Sequence, residues 1–196
     1  SNKHYLNLVG FGAVNGDFIQ VARGQAESND YLAVKDAQTD HHLTAYSHLT
    51  VNSLEKAVLA DYQITQREWY AAVAKDQRPH WTKPFRDYEY ENEIGVAFSS
   101  PAFNRQGQFV GVVASELHLN ELNKSLEKFK PHPESILLIV NEKNELISSS
   151  VPSLTRNMLA GGKHSRLNLQ TLENTHLPVV VAASRTLKAN HHTGLQ

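Results

Sequence analysis

The chain contains no cysteine. That excludes disulfides, thiol nucleophiles and cysteine-ligated zinc or iron–sulfur centres. Charge of one sign is also missing: 19 Lys and Arg stand against 20 Asp and Glu, for a formal net charge of −1. There is no basic stripe with interleaved aromatics, so no nucleic-acid partner is expected. No apolar run approaches the roughly 20 residues of a membrane span. Repeats of fixed short period and low-complexity tracts are absent. So are the signatures of common enzymes: no G-x-S-x-G elbow, no HExxH, no kinase set. "GFGAVNG" has glycines, but it lacks the strand–GxGxxG–helix setting that cradles phosphate. The domain is therefore read as a non-enzyme, with no cofactor.

What is present suffices for a folded protein. The 196 residues are 40% hydrophobic and 20% charged, which fits one large domain or two small ones. Eleven histidines would make the surface more positive below about pH 6.5. His41-His42 and His191-His192 are adjacent pairs. Side chains of adjacent strand residues diverge, so no metal site is expected. The chain opens Ser-Asn, without methionine or a signal-peptide pattern. We read it as a piece cut from something longer, whose membrane anchor lies outside it.

Residues 5–50 read as strands. Asn15-Gly16 between two apolar runs is a hairpin signal, and "YLAVKDA" and "HLTAYSHL" continue the pattern. From Gln66 to Lys75 the pattern turns helical, and Asp76 to Pro79 stops it. The strands "EIGVAFSSPAFN" and "QFVGVVASELHL" flank Arg105-Gln106-Gly107 as a second hairpin. On the latter strand Val110, Val112, Ala114 and Glu116 share one face. "LNELNKSLEKFK" is an amphipathic helix on Leu119, Leu122, Leu126 and Phe129, and "PHPE" reads as a joint between domains. "SILLIVNEKNELISSS" is a further hairpin turning at Lys143-Asn144. A short helix near "SLTRNMLAG" and two strands, "SRLNLQTLE" and "PVVVAASRTL", complete the reading.

The chain has only two tryptophans, and one falls in "YQITQREWYAAVAK" beside Tyr62, Arg67 and Tyr70. A helix start favours an anion, an arginine fork grips a carboxylate, and tyrosine hydroxyls orient it. The same residues also suit an aromatic plug of the core, with Arg67 paired to an acid such as Asp61. Glu116 closes an otherwise apolar strand face. It can meet a ligand ammonium, or mark a strand end that has reached solvent.

In order, "Y-x4-R-x-W-Y", "W-T-K-P-F", "S-P-x-F", "G-V-V-A-S-E-L" and "S-I-L-L-I-V-N-E-K-N-E-L-I-S-S-S" resemble the double Cache family of extracytoplasmic sensors. The likeness spans residues 5–150 best. It implies a mixed α/β (α+β) fold of two tandem PAS-like modules, each an antiparallel sheet flanked by helices. Residues 1–130 would be the larger, membrane-distal, ligand-binding module and 131–196 the membrane-proximal one. The family's long N-terminal helix and last strand would lie outside the chain. In amino-acid-binding members the motif residues hold the ligand. Here Tyr62, Arg67, Trp69 and Tyr70 match, while Phe85 stands at a tyrosine position and Glu116 at an aspartate position. The resemblance therefore implies a periplasmic sensor, anchored to the bacterial membrane, that binds a small carboxylate or amino acid and is compatible with a homodimer. Its output domain, such as a diguanylate cyclase or histidine kinase, would lie elsewhere in the protein. The alternative is a structural or dimerising ectodomain that reads a periplasmic protein partner.

Overall fold

The structure is a computed structural model. It describes residues 6–23, 30–47, 49–51, 55–59, 62–87, 93–155, 158 and 167–191. The chain divides into two compact units: Ser1–Lys83 with Gly95–His118, and Pro84–Ile94 with Leu119–Gln196.

The first unit is built on an antiparallel sheet. Its strands are β1 (Leu8–Ala13), β2 (Phe18–Ala22), β3 (Tyr31–Lys35), β4 (Leu43–Ser47), β5 (Glu55–Leu59), β6 (His80–Trp81), β8 (Ile94–Phe103) and β9 (Phe109–His118). They run side by side in the order β5-β4-β3-β2-β1-β9-β8-β6. The expected hairpins are present: Asn15-Gly16 joins β1 to β2, with Gly16 at φ 92°, and Gly107 turns β8 into β9 at φ 76°. Only a residue without a β carbon takes such angles cheaply. Strand β5 was not foreseen, nor was β6 in the polar stretch that begins "HW".

Helix α1 (Glu68–Asp76) covers one face of this sheet and ends where Gln77 turns left-handed at φ 55°. Buried Tyr70 and Val73 join Phe18, Tyr31, Leu43, Ile64 and Val112 in the core. The other face is apolar but exposed, with Val9, Ile19, Val21 and Val113 each more than 40% accessible.

The second unit contains the short strand β7 (Phe85–Arg86), helix α2 (Leu119–Lys128), the hairpin β10 (Leu138–Val140) and β11 (Leu146–Ser149), and helix α3 (Pro178–His191). The hairpin and α2 match the expectation, although Phe129, just past the helix, is 66% exposed rather than buried. The segment "PVVVAASRTL" is helix, not strand. Its valines suggest a strand, but Val180 and Ser184 are buried one helical turn apart, and proline opens the helix where its missing N–H costs nothing. "SRLNLQTLE" is not a strand either. Its described part gives one bridge, Thr171 to Glu145, and then a 3-10 turn at Leu172–Asn174. The helix expected at "SLTRNMLAG" is a 3-10 turn at Pro152–Leu154, and part of that segment lies outside the described residues.

A buried polar knot ties α2 to β11. Asn123 Oδ1 accepts from Ser148 Oγ at 2.7 Å and from the Ser149 N–H at 3.0 Å, while its Nδ2 donates to Thr155 Oγ1 at 3.2 Å. Ser148 and Ser149 are fully buried. Replacing Asn123 by leucine would leave a buried backbone N–H and a hydroxyl without this acceptor. Asn123→Leu should therefore destabilise the protein by at least about 1–3 kcal/mol. Urea unfolding checks this, and unchanged stability would show that the knot is incidental.

Candidate functional site

The strand registers define which side chains share the face under α1. One row across the sheet reads Ala97, Glu116, Leu8, Ala22, Tyr31. The next reads Ser99, Ala114, Gly10, Gln20, Ala33, and the third Pro101, Val112, Gly12, Phe18, Lys35. The middle row is mostly small, so the sheet surface is low there.

Above that row the segment from Tyr62 into α1 forms a roof. Tyr62 and Trp69 each lie 5.8 Å, centroid to centroid, from the ring of Phe18. Lys35, itself buried, donates from Nζ to the Tyr62 carbonyl at 2.7 Å and pins the roof segment to β3. Between roof and floor is a recess lined by Leu8, Gly10, Gln20, Tyr62, Trp69 and Glu116, among others. About 300 Å³ there is not filled by protein atoms, a space that includes open solvent, and its sheltered part is about 30 Å³, room for about one water molecule in this arrangement.

Three of the expected site residues thus come together on this recess: Tyr62, Trp69 and Glu116. Arg67 caps the N-terminus of α1 and holds its guanidinium carbon 5.5 Å from the centre of the Tyr62 ring, a cation–π distance. Its neighbour is therefore a roof residue, although Arg67 does not itself line the recess. Tyr70 belongs to the core. It is 4% exposed and meets Trp69 edge-on at 5.7 Å, and burial pushes its phenol above the usual tyrosine value. Phe85 is half-buried on β7, in the second unit. The acid suggested as a partner for Arg67, Asp61, lies outside the described residues.

Glu116 does not face bulk solvent. Its side chain is 13% exposed, and Oε1 sits 3.7 Å from His118 Nε2 on the same strand face. A histidine that can be charged therefore stands beside the carboxylate, a neighbour the sequence reading did not consider. Gln20 is a second residue that reading missed. It lines the recess although only 5% exposed. Ser99 Oγ, at the end of the same row, is fully buried and has no hydrogen-bond partner among the described residues.

A family profile, the methyl-accepting chemotaxis protein-like first PDC sensor domain, matches residues 20–124, more than half of the 196-residue chain. The chain belongs to this family. The matched segment contains every residue of the recess except those on β1 and Phe18. Solved structures share the fold. Methyl-accepting chemotaxis protein X is 14% identical, with a TM-score of 0.51 over 95% of this chain and 60% of that one. The ligand-binding domain of the Campylobacter jejuni chemoreceptor Tlp3, in complex with L-norvaline, is 14% identical with a TM-score of 0.48, covering 76% of this chain and 45% of that one. The ligand-binding domain of the Pseudomonas aeruginosa PAO1 amino-acid chemoreceptor PctC, in complex with GABA, is 19% identical with a TM-score of 0.46, covering 86% and 54%. The chain spans about half the length of the solved chains it resembles. No curated protein matches it significantly. As a PDC domain the chain is a PAS-like sensor module of the kind used in signal transduction. The large antiparallel sheet with helices is the fold expected of it. Among the described residues no helix is long and apolar enough to cross a membrane.

The roof sits close because Gly12 has no side chain. A β carbon there would meet Ile64 Cδ1 at 2.9 Å, Trp69 Cη2 at 3.0 Å and Tyr70 Cδ2 at 3.2 Å. All three belong to the roof segment, which would have to lift. Gly12→Ala should cost about 1–3 kcal/mol of stability, the usual range for overpacking a core. Denaturant melts measure it directly, and an unaltered midpoint would mean that the roof is not seated on β1.

Proposed function

We propose that this chain is the ligand-sensing region of a transmembrane signalling protein, and that its recess takes a small carboxylate or amino acid. The observation that carries the reading is the lining itself: a half-buried carboxylate, Glu116, opposite an aromatic roof of Tyr62 and Trp69, with Arg67 adjoining Tyr62. Glu116, which already has His118 beside it, adds a negative charge to the recess wall that a ligand ammonium can also meet. Arg67, at the start of α1, is placed for the ligand's carboxylate, where its fork and the helix dipole act together. Tyr70 shapes the site by holding Trp69. Amino-acid ligands of chemoreceptor domains such as Tlp3 and PctC are in keeping with this class of molecule.

In this reading the domain sits outside the cytoplasmic membrane, and spans and an output domain lie in the rest of the protein. Residues 1–130 are then the membrane-distal ligand module and 131–196 a smaller membrane-proximal one, the tandem PAS-like plan of double Cache proteins. Binding shifts an equilibrium between two arrangements of the domain, and that shift is the signal.

One observation favours a second reading, an ectodomain that works by association. The outer face of β1, β2 and β9 exposes Val9, Ile19, Val21 and Val113, next to Phe98 and Trp81, whose rings are 5.1 Å apart. Exposed apolar patches of this kind mark interaction surfaces. Light scattering separates the readings: a monomer that binds ligand supports the first, and a ligand-blind dimer the second.

Calorimetry with a panel of amino acids, their deaminated acids and simple amines tests the site. Arg67→Ala should cost about 2–5 kcal/mol in binding and leave the unliganded melting temperature nearly unchanged. Glu116→Gln should weaken an amino acid by about 1.5–3 kcal/mol while sparing the same acid without its amine. If Arg67→Ala lowers stability and there is no binding to lose, Arg67 belongs to a core plug. If Glu116→Gln changes affinity for no ligand, the ammonium contact is wrong.

A further inference from the structure

The recess contains a hydrogen-bonding group that contacts to a carboxylate and an ammonium leave unused. Gln20 is on the covered face of β2, 5% exposed, and lines the recess. Its neighbours along the row are Gly10 and Ala33, which carry no polar side-chain atom. Among the described residues its amide makes no hydrogen bond, and it is not sealed from solvent but opens onto the recess. A polar group at the wall of an open recess bonds to whatever enters it, water or ligand. Gln20, on the wall of the recess, is therefore placed to bond to what occupies it.

Its position relative to Glu116 is fixed by the sheet. Glu116 is on β9 and Gln20 on β2, with β1 between them, and they occupy successive rows. At about 4.8 Å per strand the two backbones are roughly 10 Å apart across the sheet. Both side chains line the same recess. A molecule in it therefore meets a carboxylate toward one side and an amide toward the other.

We infer that Gln20 reads the ligand's side chain, and that the ligand is an amino acid with a polar, uncharged side chain. This rests on the amino-acid reading of the recess and adds a choice within that class. A carboxamide both donates and accepts, so its complement is a group that does both: another carboxamide or a hydroxyl. An apolar side chain would cover Gln20 without offering a bond. An acidic one can only accept, and would bring a second negative charge into the recess with Glu116. A site built to bond a polar group rejects the analogue lacking it far more strongly than an apolar site rejects an added hydroxyl.

The test is calorimetric titration with two pairs of similar shape, L-asparagine with L-leucine and L-threonine with L-valine, on the wild-type chain and on Gln20→Met. The wild type should bind the polar member of at least one pair about tenfold or more tightly, and Gln20→Met should reduce that preference below about threefold while keeping the affinity for the apolar member. The wild-type preference needs no variant, so a misfolded Gln20→Met leaves the test in force. Equal binding within both pairs, preference for the apolar members, or a preference that survives in Gln20→Met overturns the role of Gln20 and leaves the amino-acid site standing. If none of the four binds while the carboxylates of the wider panel do, the amino-acid reading is overturned and the Gln20 assignment with it.

Discussion

A β carbon at Gly12 would lie 2.9 Å from Ile64 and 3.0 Å from Trp69, and one at Gly10 would lie 3.0 Å from Phe18 and 3.2 Å from the β carbon of Gln20. Strand β1 therefore runs through the middle of the sheet with a bare stretch on its covered face. The consequences differ at the two positions. At Gly12 the absent side chain lets the start of α1 settle onto the sheet, so Trp69 and Tyr70 can be roof and core at once. At Gly10 it lets the Phe18 ring and Gln20 lie close over β1 beside small Ala114. A close roof over a low floor makes a recess. Glycine costs a strand some stability, and here that cost coincides with the recess.

Much of the fold was legible because strands and turns announce themselves locally. The Asn15-Gly16 and Gly107 turns set two registers, and the long-range pairing of β1 with β9, which no local turn sets, then brings Glu116 and Gln20 to the same face. The failures have physical causes. Valines at 179–181 favour a strand in isolation, yet a proline start, two alanines and burial of Val180 and Ser184 one turn apart make a helix. Packing overrides propensity there. Phe129 completes an apolar stripe in the sequence but lies just past α2, where the helix no longer aims it inward.

The site was legible in part, and the missing part is instructive. Tyr62, Trp69 and Glu116 stand out by residue type and converge on the recess. Gln20 does not stand out, because a glutamine between isoleucine and valine on an alternating strand reads as the solvent side. On β1 and β2 the rule runs backwards. The covered face carries Leu8, Gly10, Gly12, Phe18 and Gln20, and the exposed one Val9, Ile19 and Val21. Alternation gives the period of a strand but not its polarity. The usable signal was the pair of glycines at alternate positions, with Gln20 brought opposite Gly10 by the turn between them.

The account stands or falls on whether a small molecule enters beneath Trp69. Of the two tryptophans, Trp81 is 61% exposed and Trp69 lines the recess. A Trp81→Phe variant therefore leaves Trp69 as the sole indole emitter. Its fluorescence should change saturably on titration with amino acids or small carboxylates, and the change should vanish when Arg67 is replaced by alanine. A folded Trp81→Phe protein whose emission is indifferent to every member of such a panel, while its melting temperature also fails to rise, would contradict the central claim that this recess is the sensor's ligand site.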